Sequence, residues 1–319
     1  MKSRCALLII AHLSGLPLYL NAQNITPELF APGVISGPVD ESAPTFTPDG
    51  KTVYFFRGGP ALGRVILVSH WQNGKWSNPE IAPFSGQWRD IEPTMAPDGS
   101  YLIFASNRPA KPGGKALNAS YNGRHVAQGG GNLWRVDRKG DTWSEPYRLP
   151  DIINSDTSVF APAITADGGL YFMKPVGDTG RFHIYHSAFR NGQYEEPLPV
   201  SFTIADSVGD VDPAVSADDS FLIFGSGRSR KGDLFIVFRE NGQWGIPISM
   251  GEEVTRNVGG GEPRLSPDHH TLYFSNGYTQ PPTYPADRAT SKSKLAECEW
   301  NTGADNIWSV PLDKWINNR

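Results

Sequence analysis

The sequence predicts an all-β protein, a single β-propeller of four-stranded antiparallel blades, and three observations support that prediction. A phrase centred on a proline recurs five times, at intervals of about 50 residues, close to the period of propeller blades. In every copy a turn that contains an aspartate is followed by a short strand rich in aromatic residues. Further strand and hairpin signals follow, so that one repeat supplies the four strands of one blade. The five marker prolines are Pro44, Pro93, Pro162, Pro213 and Pro263.

The first strand of each repeat ends at a turn that contains an aspartate, and the second strand begins directly after it. Aspartate side chains form such turns by accepting a hydrogen bond from a backbone N–H two residues later. We expect these residues to be structural and to lie on the face of the ring opposite the channel mouth. They are Asp49, Asp98, Asp167, Asp218 and Asp268. The second strands are predicted at 53–56, 101–104, 170–172, 221–224 and 272–274, where aromatic and aliphatic residues indicate burial.

The third and fourth strands of a blade follow in the same order. Third strands are predicted at 65–68, 132–136, 183–186, 233–237 and 306–310. In three repeats an Asn-Gly pair comes next, which is a strong hairpin signal, and in another the turn is at 139–141. An aromatic residue and a proline then open the fourth strand. Proline is acceptable there because an outer edge strand needs fewer backbone donors.

The ends of the repeat region predict how the ring closes. The fifth repeat has no full fourth strand after its third, whereas residues 27–32 resemble the fourth strand at 79–83 and have no blade before them. We therefore expect the N-terminal strand to complete the last blade, which also removes a free sheet edge. This arrangement predicts five blades, with six as the alternative.

The repeats resemble a known family. The Pro-Asp-Gly turns, the aromatic strands, Ser106-Asn107-Arg108, Asp233-Leu234-Phe235 and Asn306-Ile307-Trp308 are similar to WD40-like repeats of the TolB type. This resemblance implies a β-propeller. TolB propellers have six blades and an additional N-terminal α/β domain, neither of which is evident here, so the role of TolB in the cell envelope is not carried over. Peptidases with similar propellers carry a hydrolase domain, for which the repeats leave no room.

The N-terminus has the pattern of a secretory signal peptide. Lys2 and Arg4 precede an apolar run that continues to Leu20, and Ala22 offers a small-residue cleavage point. We predict a signal peptide at 1–22 and a single propeller domain at 23–319, exported to the periplasm or the extracellular space. After cleavage Cys298 would be a lone thiol, so no disulfide framework is expected.

Charge and composition exclude several classes of partner. The net charge is −4 and no basic cluster is present, which argues against nucleic-acid binding. No segment after the signal is apolar enough to span a bilayer, and we expect a monomer. His183 and His186 point to opposite faces of a strand, so no zinc site is predicted. No cofactor is predicted, with a hard cation such as calcium as the alternative at a cluster of carboxylates.

That cluster is the main candidate site. Acidic residues precede the marker prolines and should surround the mouth of the channel: Glu41, Asp90, Glu92, Asp210, Asp212 and Glu262. Basic residues end the second strands on the same face: Arg57, Arg108, Lys174 and Arg228. Ion pairs between neighbouring blades would form a structural belt. In the alternative interpretation, some of these charges hold a ligand or transfer a proton.

Two long loops between second and third strands belong to the same face, at 109–131 and 277–304. Long loops in compact domains are commonly functional, and these could arch over the mouth from two sides. Their Arg, Lys, Tyr, His and Trp residues, among them Tyr121 and His125, suit an anionic or sugar-like ligand.

Two functions follow as hypotheses. The first is a binding protein for a ligand or a protein partner, with ligand-binding candidates Asp90, Arg57, Arg108, Arg228, Asp210, Tyr121 and His125. The second is an exported lyase or hydrolase that acts on a saccharide or another small polar substrate. Its catalytic candidates are Glu92, Asp212 and Glu262, because paired carboxylates facing arginine are a pattern that such chemistry uses.

Overall fold

A computed structural model describes residues 26–59, 62–177, 180–202, 209–228, 233–255, 260–279 and 284–317. The predicted signal peptide at 1–22 lies outside these ranges. The first described strand is β1 (Glu28–Leu29). Blade one contains β2 (Asp40–Phe46), β3 (Thr52–Gly59), β4 (Gly63–Gln72), β5 (Lys75–Trp76) and β6 (Glu80–Ile81). Blade two contains β7 (Asp90–Met95), β8 (Tyr101–Ser106), the hairpin β9 (Ala119–Tyr121) and β10 (Arg124–Val126), β11 (Asn132–Lys139), β12 (Thr142–Trp143) and β13 (Tyr147–Arg148).

Blades three to five repeat this plan. Blade three contains β14 (Phe160–Ile164), β15 (Leu170–Val176), β16 (Arg181–Ser187), the hairpin β17 (Phe189–Arg190) and β18 (Gln193–Tyr194), and β19 (Leu198–Pro199). Blade four contains β20 (Asp210–Val215), β21 (Phe221–Ser226), β22 (Asp233–Glu240), β23 (Gln243–Trp244) and β24 (Ile248–Ser249), followed by α1 (Glu252–Thr255). Blade five contains β25 (Gly261–Leu265), β26 (Thr271–Asn276), α2 (Arg288–Glu297), β27 (Asn306–Pro311) and α3 (Asp313–Ile316).

The described strands form a closed ring of five blades. The first strands contact one another in the order β2, β7, β14, β20, β25 and back to β2. β1 pairs antiparallel with β27, so the N-terminal strand completes blade five as predicted. The prediction of five antiparallel blades is therefore confirmed, and the alternative of six is wrong. No helix among the described residues is long and apolar enough to cross a membrane.

Every first strand contains the same irregularity at its marker proline. The pairing with the second strand shifts register there, and the residue before the proline takes a left-handed backbone conformation. These residues are Ala43 (φ 51°), Glu92 (55°), Ala161 (51°), Asp212 (54°) and Glu262 (49°). A bulge of this kind accommodates proline in an inner strand and redirects the neighbouring side chain.

The core lies between adjacent blades and is built by the predicted second strands. Phe55, Phe56, Phe104, Phe224 and Phe274 are each at most 1% exposed. Because these aromatic residues bury large apolar surfaces, they hold neighbouring blades together.

The aspartate turns and the Asn-Gly hairpins also form as predicted. Asp49 accepts hydrogen bonds from Thr47 Oγ1 at 2.6 Å and from the Lys51 N–H at 3.1 Å, and these bonds lower its pKa. Asp98, Asp167, Asp218 and Asp268 make equivalent bonds. Both residues of the pair Asn73-Gly74 have positive φ, as a tight hairpin turn requires.

Candidate functional site at the channel mouth

The six carboxylates expected at the channel mouth fall into two sets, according to their distance from the marker proline. Glu41, Asp90 and Asp210 lie three residues before it and form the outer set. Glu92, Asp212 and Glu262 lie directly before it, at the left-handed residue, and form the inner set. The two sets have different partners.

Each carboxylate of the outer set pairs with an arginine at the end of the second strand of its own blade. The pairs are Glu41 with Arg57 (2.7 Å), Asp90 with Arg108 (2.6 Å) and Asp210 with Arg228. Arg57 and Arg108 also donate to backbone carbonyls in the loops that arrive from the preceding blade, at 3.1 and 2.7 Å. The pairs thus fix these loops to the ring. The expectation that they would link neighbouring blades is wrong, because the second strand ends beside the start of its own first strand.

The inner set, in contrast, links neighbouring blades. The Ala161 N–H donates to Glu92 Oε2 at 2.6 Å, and the Glu262 N–H donates to Asp212 Oδ2 at 3.4 Å. In both cases the donor is the left-handed residue of the next blade. Glu92 is only 5% exposed, and the buried Glu262 Oε2 has no hydrogen-bond partner among the described residues.

Burial and mutual repulsion favour the protonated forms of the inner set. Burial and the neighbouring Asp212 raise the pKa of Glu92 to about 7. Burial, Glu92 and Asp212 raise the pKa of Glu262 to about 8. Burial also raises the pKa of Asp212. The channel therefore contains carboxyl groups that exchange protons near neutral pH, a property that general acids and bases share.

Two arginines that the sequence analysis did not select belong to the same layer of the channel. Arg264 directly follows a marker proline, and it lowers the pKa of all three inner carboxyls. Arg89 lies at the mouth, where Glu92 and Glu262 are among its charged neighbours and burial lowers its pKa. A comparison of the repeats could have identified Arg264, since the equivalent residues are Thr45, Thr94, Ala163 and Ala214.

Two cavities open on the loop-bearing face and share Asp40 and Arg64 in their walls. The larger, about 730 Å³, lies between blades one and two. Its lining includes Gln87, Trp88, Arg89, Asn107 and Gln128. The smaller, about 320 Å³, lies at the junction of blades one and five, and Asp212, Glu262, Ser42, Ser275 and Asp305 line it. The mouth is thus concave on both sides of Arg64, and polar side chains contribute to both cavities.

Asn107 holds the wall of the larger cavity in place. Its side-chain oxygen accepts from the Arg89 N–H at 3.0 Å, and its amide nitrogen donates to the Gln128 carbonyl at 2.9 Å. The Asn107 N–H in turn donates to the Arg89 carbonyl at 3.2 Å. The buried side-chain amide of Asn107 therefore joins the loop before blade two to the long loop of that blade. These hydrogen bonds fix the position of the cavity wall.

The remaining predicted site residues lie farther from the inner carboxylates. Tyr121 packs on Phe182 of blade three with ring centroids 5.0 Å apart, and His125 is exposed and bonds Ser120. Lys174 Nζ donates to Ser155 Oγ at 3.0 Å. Helix α2, in the other long loop, has no buried residue. The ligand-binding roles predicted for these and for the outer set stay predictions.

The described residues contain no group of three or more His, Cys, Asp or Glu side chains placed to hold a metal ion. Cys298 is exposed beside the C-terminus of α2. Arg264 and backbone N–H groups are among the neighbours of the inner carboxylates.

The fold and this mouth define a class of protein, a five-bladed β-propeller with a polar cavity on the loop-bearing face and a charged layer in its channel. No protein-family model and no curated protein matches the sequence. Solved structures that are similar include a TolB candidate from Agrobacterium tumefaciens, with 16% identity over 75% of this chain and 70% of that chain and a TM-score of 0.48. TolB from Acinetobacter baumannii has 16% identity over 65% of this chain and 42% of that chain, with a TM-score of 0.41.

A gluconolactonase from Xanthomonas campestris is similar over 90% of this chain and 94% of its own, at 13% identity and a TM-score of 0.43. At these identities the likeness concerns the fold alone. The resemblance to TolB-type propellers predicted from the repeats is confirmed at that level, and the function has to be argued from the site itself.

Proposed function

We propose that the protein is an exported binding protein that takes an acidic saccharide in the larger cavity of the loop-bearing face. The observation that supports this proposal is the combination of Arg64, Arg89 and Trp88 on one cavity wall. Its volume of about 730 Å³ lies in the range of small-molecule sites. Export rests on the signal-peptide pattern at 1–22.

The chemistry of the wall fits each part of such a ligand. A sugar carboxylate would pair with a guanidinium, and Arg89 Nη1 is buried without a hydrogen-bond partner among the described residues. The half-buried Trp88 offers an aromatic face to a sugar ring. Side-chain amides of Gln87 and Gln128 can both donate to and accept from hydroxyl groups.

Calorimetry with the mature chain, residues 23–319, tests this proposal with uronic acid oligosaccharides and with neutral oligosaccharides of equal length. We expect the acidic series to bind more tightly. We expect Trp88→Ala and Arg89→Gln each to weaken binding about tenfold, which corresponds to about 1.4 kcal/mol. Trp71→Ala is the matched control, since Trp71 is 44% exposed on the outer part of blade one.

The proposal fails if no saccharide binds, or if Trp71→Ala weakens binding as much as Trp88→Ala does. In the first case, capture of a protein partner by the same face would become the working hypothesis. Calcium is included as a separate condition, because the sequence left a hard cation at the cluster of carboxylates as the alternative to no cofactor.

One observation favours a second candidate function, a lyase or hydrolase. The inner carboxyls have raised pKa values, and two of them, Asp212 and Glu262, line the cavity of about 320 Å³. If a bound saccharide is turned over, Glu92→Gln and Asp212→Asn should reduce kcat at least a hundredfold with little change in binding. If the same variants lose stability while no substrate is converted, the inner carboxyls are structural.

A further inference from the structure

A third cavity, of about 100 Å³, lies in the channel on the side of the inner carboxylates that faces the aspartate turns. The five residues that follow the marker prolines all line it: Thr45, Thr94, Ala163, Ala214 and Arg264. Four of these side chains are small and only Arg264 is long and charged. The cavity is therefore the space that the small side chains of four blades leave beside the guanidinium of Arg264.

The guanidinium of Arg264 is buried and largely without partners. The residue is 4% exposed, and its Nη1 donates to the carbonyl oxygen of Pro263 at 2.8 Å. Nε and Nη2 are buried and have no hydrogen-bond partner among the described residues. Arg264 also forms no ion pair with another described residue. Burying such donors unpaired is costly, so a group that accepts from both would stabilise the ring.

Nε and Nη2 lie on one edge of the guanidinium plane. Two N–H groups in this arrangement match two oxygens of a carboxylate or a phosphate, and this bidentate geometry distinguishes arginine from lysine. The volume of about 100 Å³ admits only a small group. The end of the cavity nearest the aspartate turns is lined by Pro48, Pro97 and Pro267. A ligand therefore has a second route into the channel, from the face opposite the mouth.

We propose that Arg264 binds a small oxyanion, a carboxylate or phosphate group, in the central channel through its Nε and Nη2 edge. This site is separate from the saccharide cavity proposed at the mouth, because the inner carboxylate layer lies between them. Binding there would place an acceptor on both free donors.

The surrounding charges set the expected pH dependence. Glu262 comes from the same strand as Arg264, Glu92 and Arg89 come from blade two, and Asp212 comes from blade four. His269 lines the opposite end of the cavity, accepts from the Ala217 N–H at 3.3 Å and has a pKa lowered by burial. The nearest residues of blades one and three, Thr45 and Ala163, do not titrate. Because ionised inner carboxyls repel an anion, we expect tighter binding at pH 6 than at pH 9.

Thermal unfolding at constant ionic strength tests the site with sodium formate, acetate and phosphate against sodium chloride, and with citrate as an anion too large for the cavity. At about ten times the dissociation constant an oxyanion should raise Tm by about 3 °C. Separate formate and phosphate titrations distinguish a carboxylate site from a phosphate site. Arg264→Lys keeps the charge but loses the bidentate edge, and it should abolish the difference from chloride. Arg57→Lys is the matched control, since Arg57 already pairs with Glu41.

The proposal is overturned if formate, acetate and phosphate act on the wild type as chloride does, or if Arg264→Lys retains their effect. Should Arg264→Lys fail to fold, crystals of the wild type soaked in selenate decide the question. An anomalous peak within hydrogen-bond distance of Nε and Nη2 supports the site, and a channel without that peak refutes it.

Discussion

Glu262→Gln is expected to stabilise the protein, and more so as the pH rises. The substitution removes one negative charge from the inner layer and keeps the size of the side chain. In the wild type, Glu262 Oε2 is buried without a hydrogen-bond partner among the described residues, and Glu92 and Asp212 repel its charge. The protein therefore holds this carboxylate in an environment that disfavours ionisation.

The pKa of Glu262 gives the sign and the size of the effect. Its pKa rises from 4.5 to about 8 on folding. A carboxyl with a raised pKa contributes stability that is present below pH 4.5 and is lost as the pH rises through 8. At about 1.4 kcal/mol for each pKa unit, the full loss over this shift is about 5 kcal/mol. Glu92 and Asp212 share the repulsion, so we expect somewhat less than half of this loss, roughly 2 kcal/mol, to be recovered by the single substitution.

Urea unfolding followed by tryptophan fluorescence at pH 5, 7 and 9 measures this effect. Glu262→Gln should match the wild type at pH 5 and exceed its free energy of unfolding by about 2 kcal/mol at pH 9. Glu80→Gln is the control, because Glu80 is exposed on the outer strand β6. A difference that stays constant between pH 5 and pH 9, or a variant that is less stable at pH 9, would refute the reasoning.

Two further predictions concern the fold. Gly99→Ala should cost about 1 kcal/mol more in urea unfolding than Gly50→Ala. Both glycines have positive φ in equivalent turns, but of the two only Gly99 would place the new Cβ against another atom, the Cδ of Pro48 at 2.8 Å. Equal losses of unfolding free energy in the two variants would contradict this prediction. Leu29→Asp should lower Tm by at least 4 °C, about 2 kcal/mol, because the half-buried Leu29 packs in the core of the blade that β1 completes. Leu198→Asp, at a 67% exposed position on another outer strand, should leave Tm unchanged, and two equal responses would show that ring closure contributes little.

Much of the architecture could be predicted because its determinants are local. A turn such as the one at Asp49, or a hairpin such as the one at Asn73-Gly74, depends on only a few neighbouring residues. The period of the marker prolines then shows how often these signals recur along the chain. Pairing of the N-terminal strand with the last blade could also be inferred, since an unpaired strand at one end matched a missing strand at the other. The structure confirms each of these elements.

The site was predicted less completely. The inner residues Glu92, Asp212 and Glu262 were selected, but they were grouped with the outer set because all six precede the marker prolines. The bulge at the marker proline breaks the regular alternation of the strand, so the inner and the outer carboxylates meet different partners. Arg264 was missed although its four small counterparts in the other repeats marked it as unusual.

The sequence by itself determined the blade, its turns, the number of repeats and the residue types available to the channel. Only the tertiary structure decided which charges meet. Outer carboxylates pair within a blade, whereas inner carboxylates and Arg264 converge from separate blades. The reason is physical. A turn depends on neighbours in the chain, but the charge on the buried Glu262 depends on Asp212 and Glu92, which precede it by 50 and 170 residues and come together with it only when the ring closes.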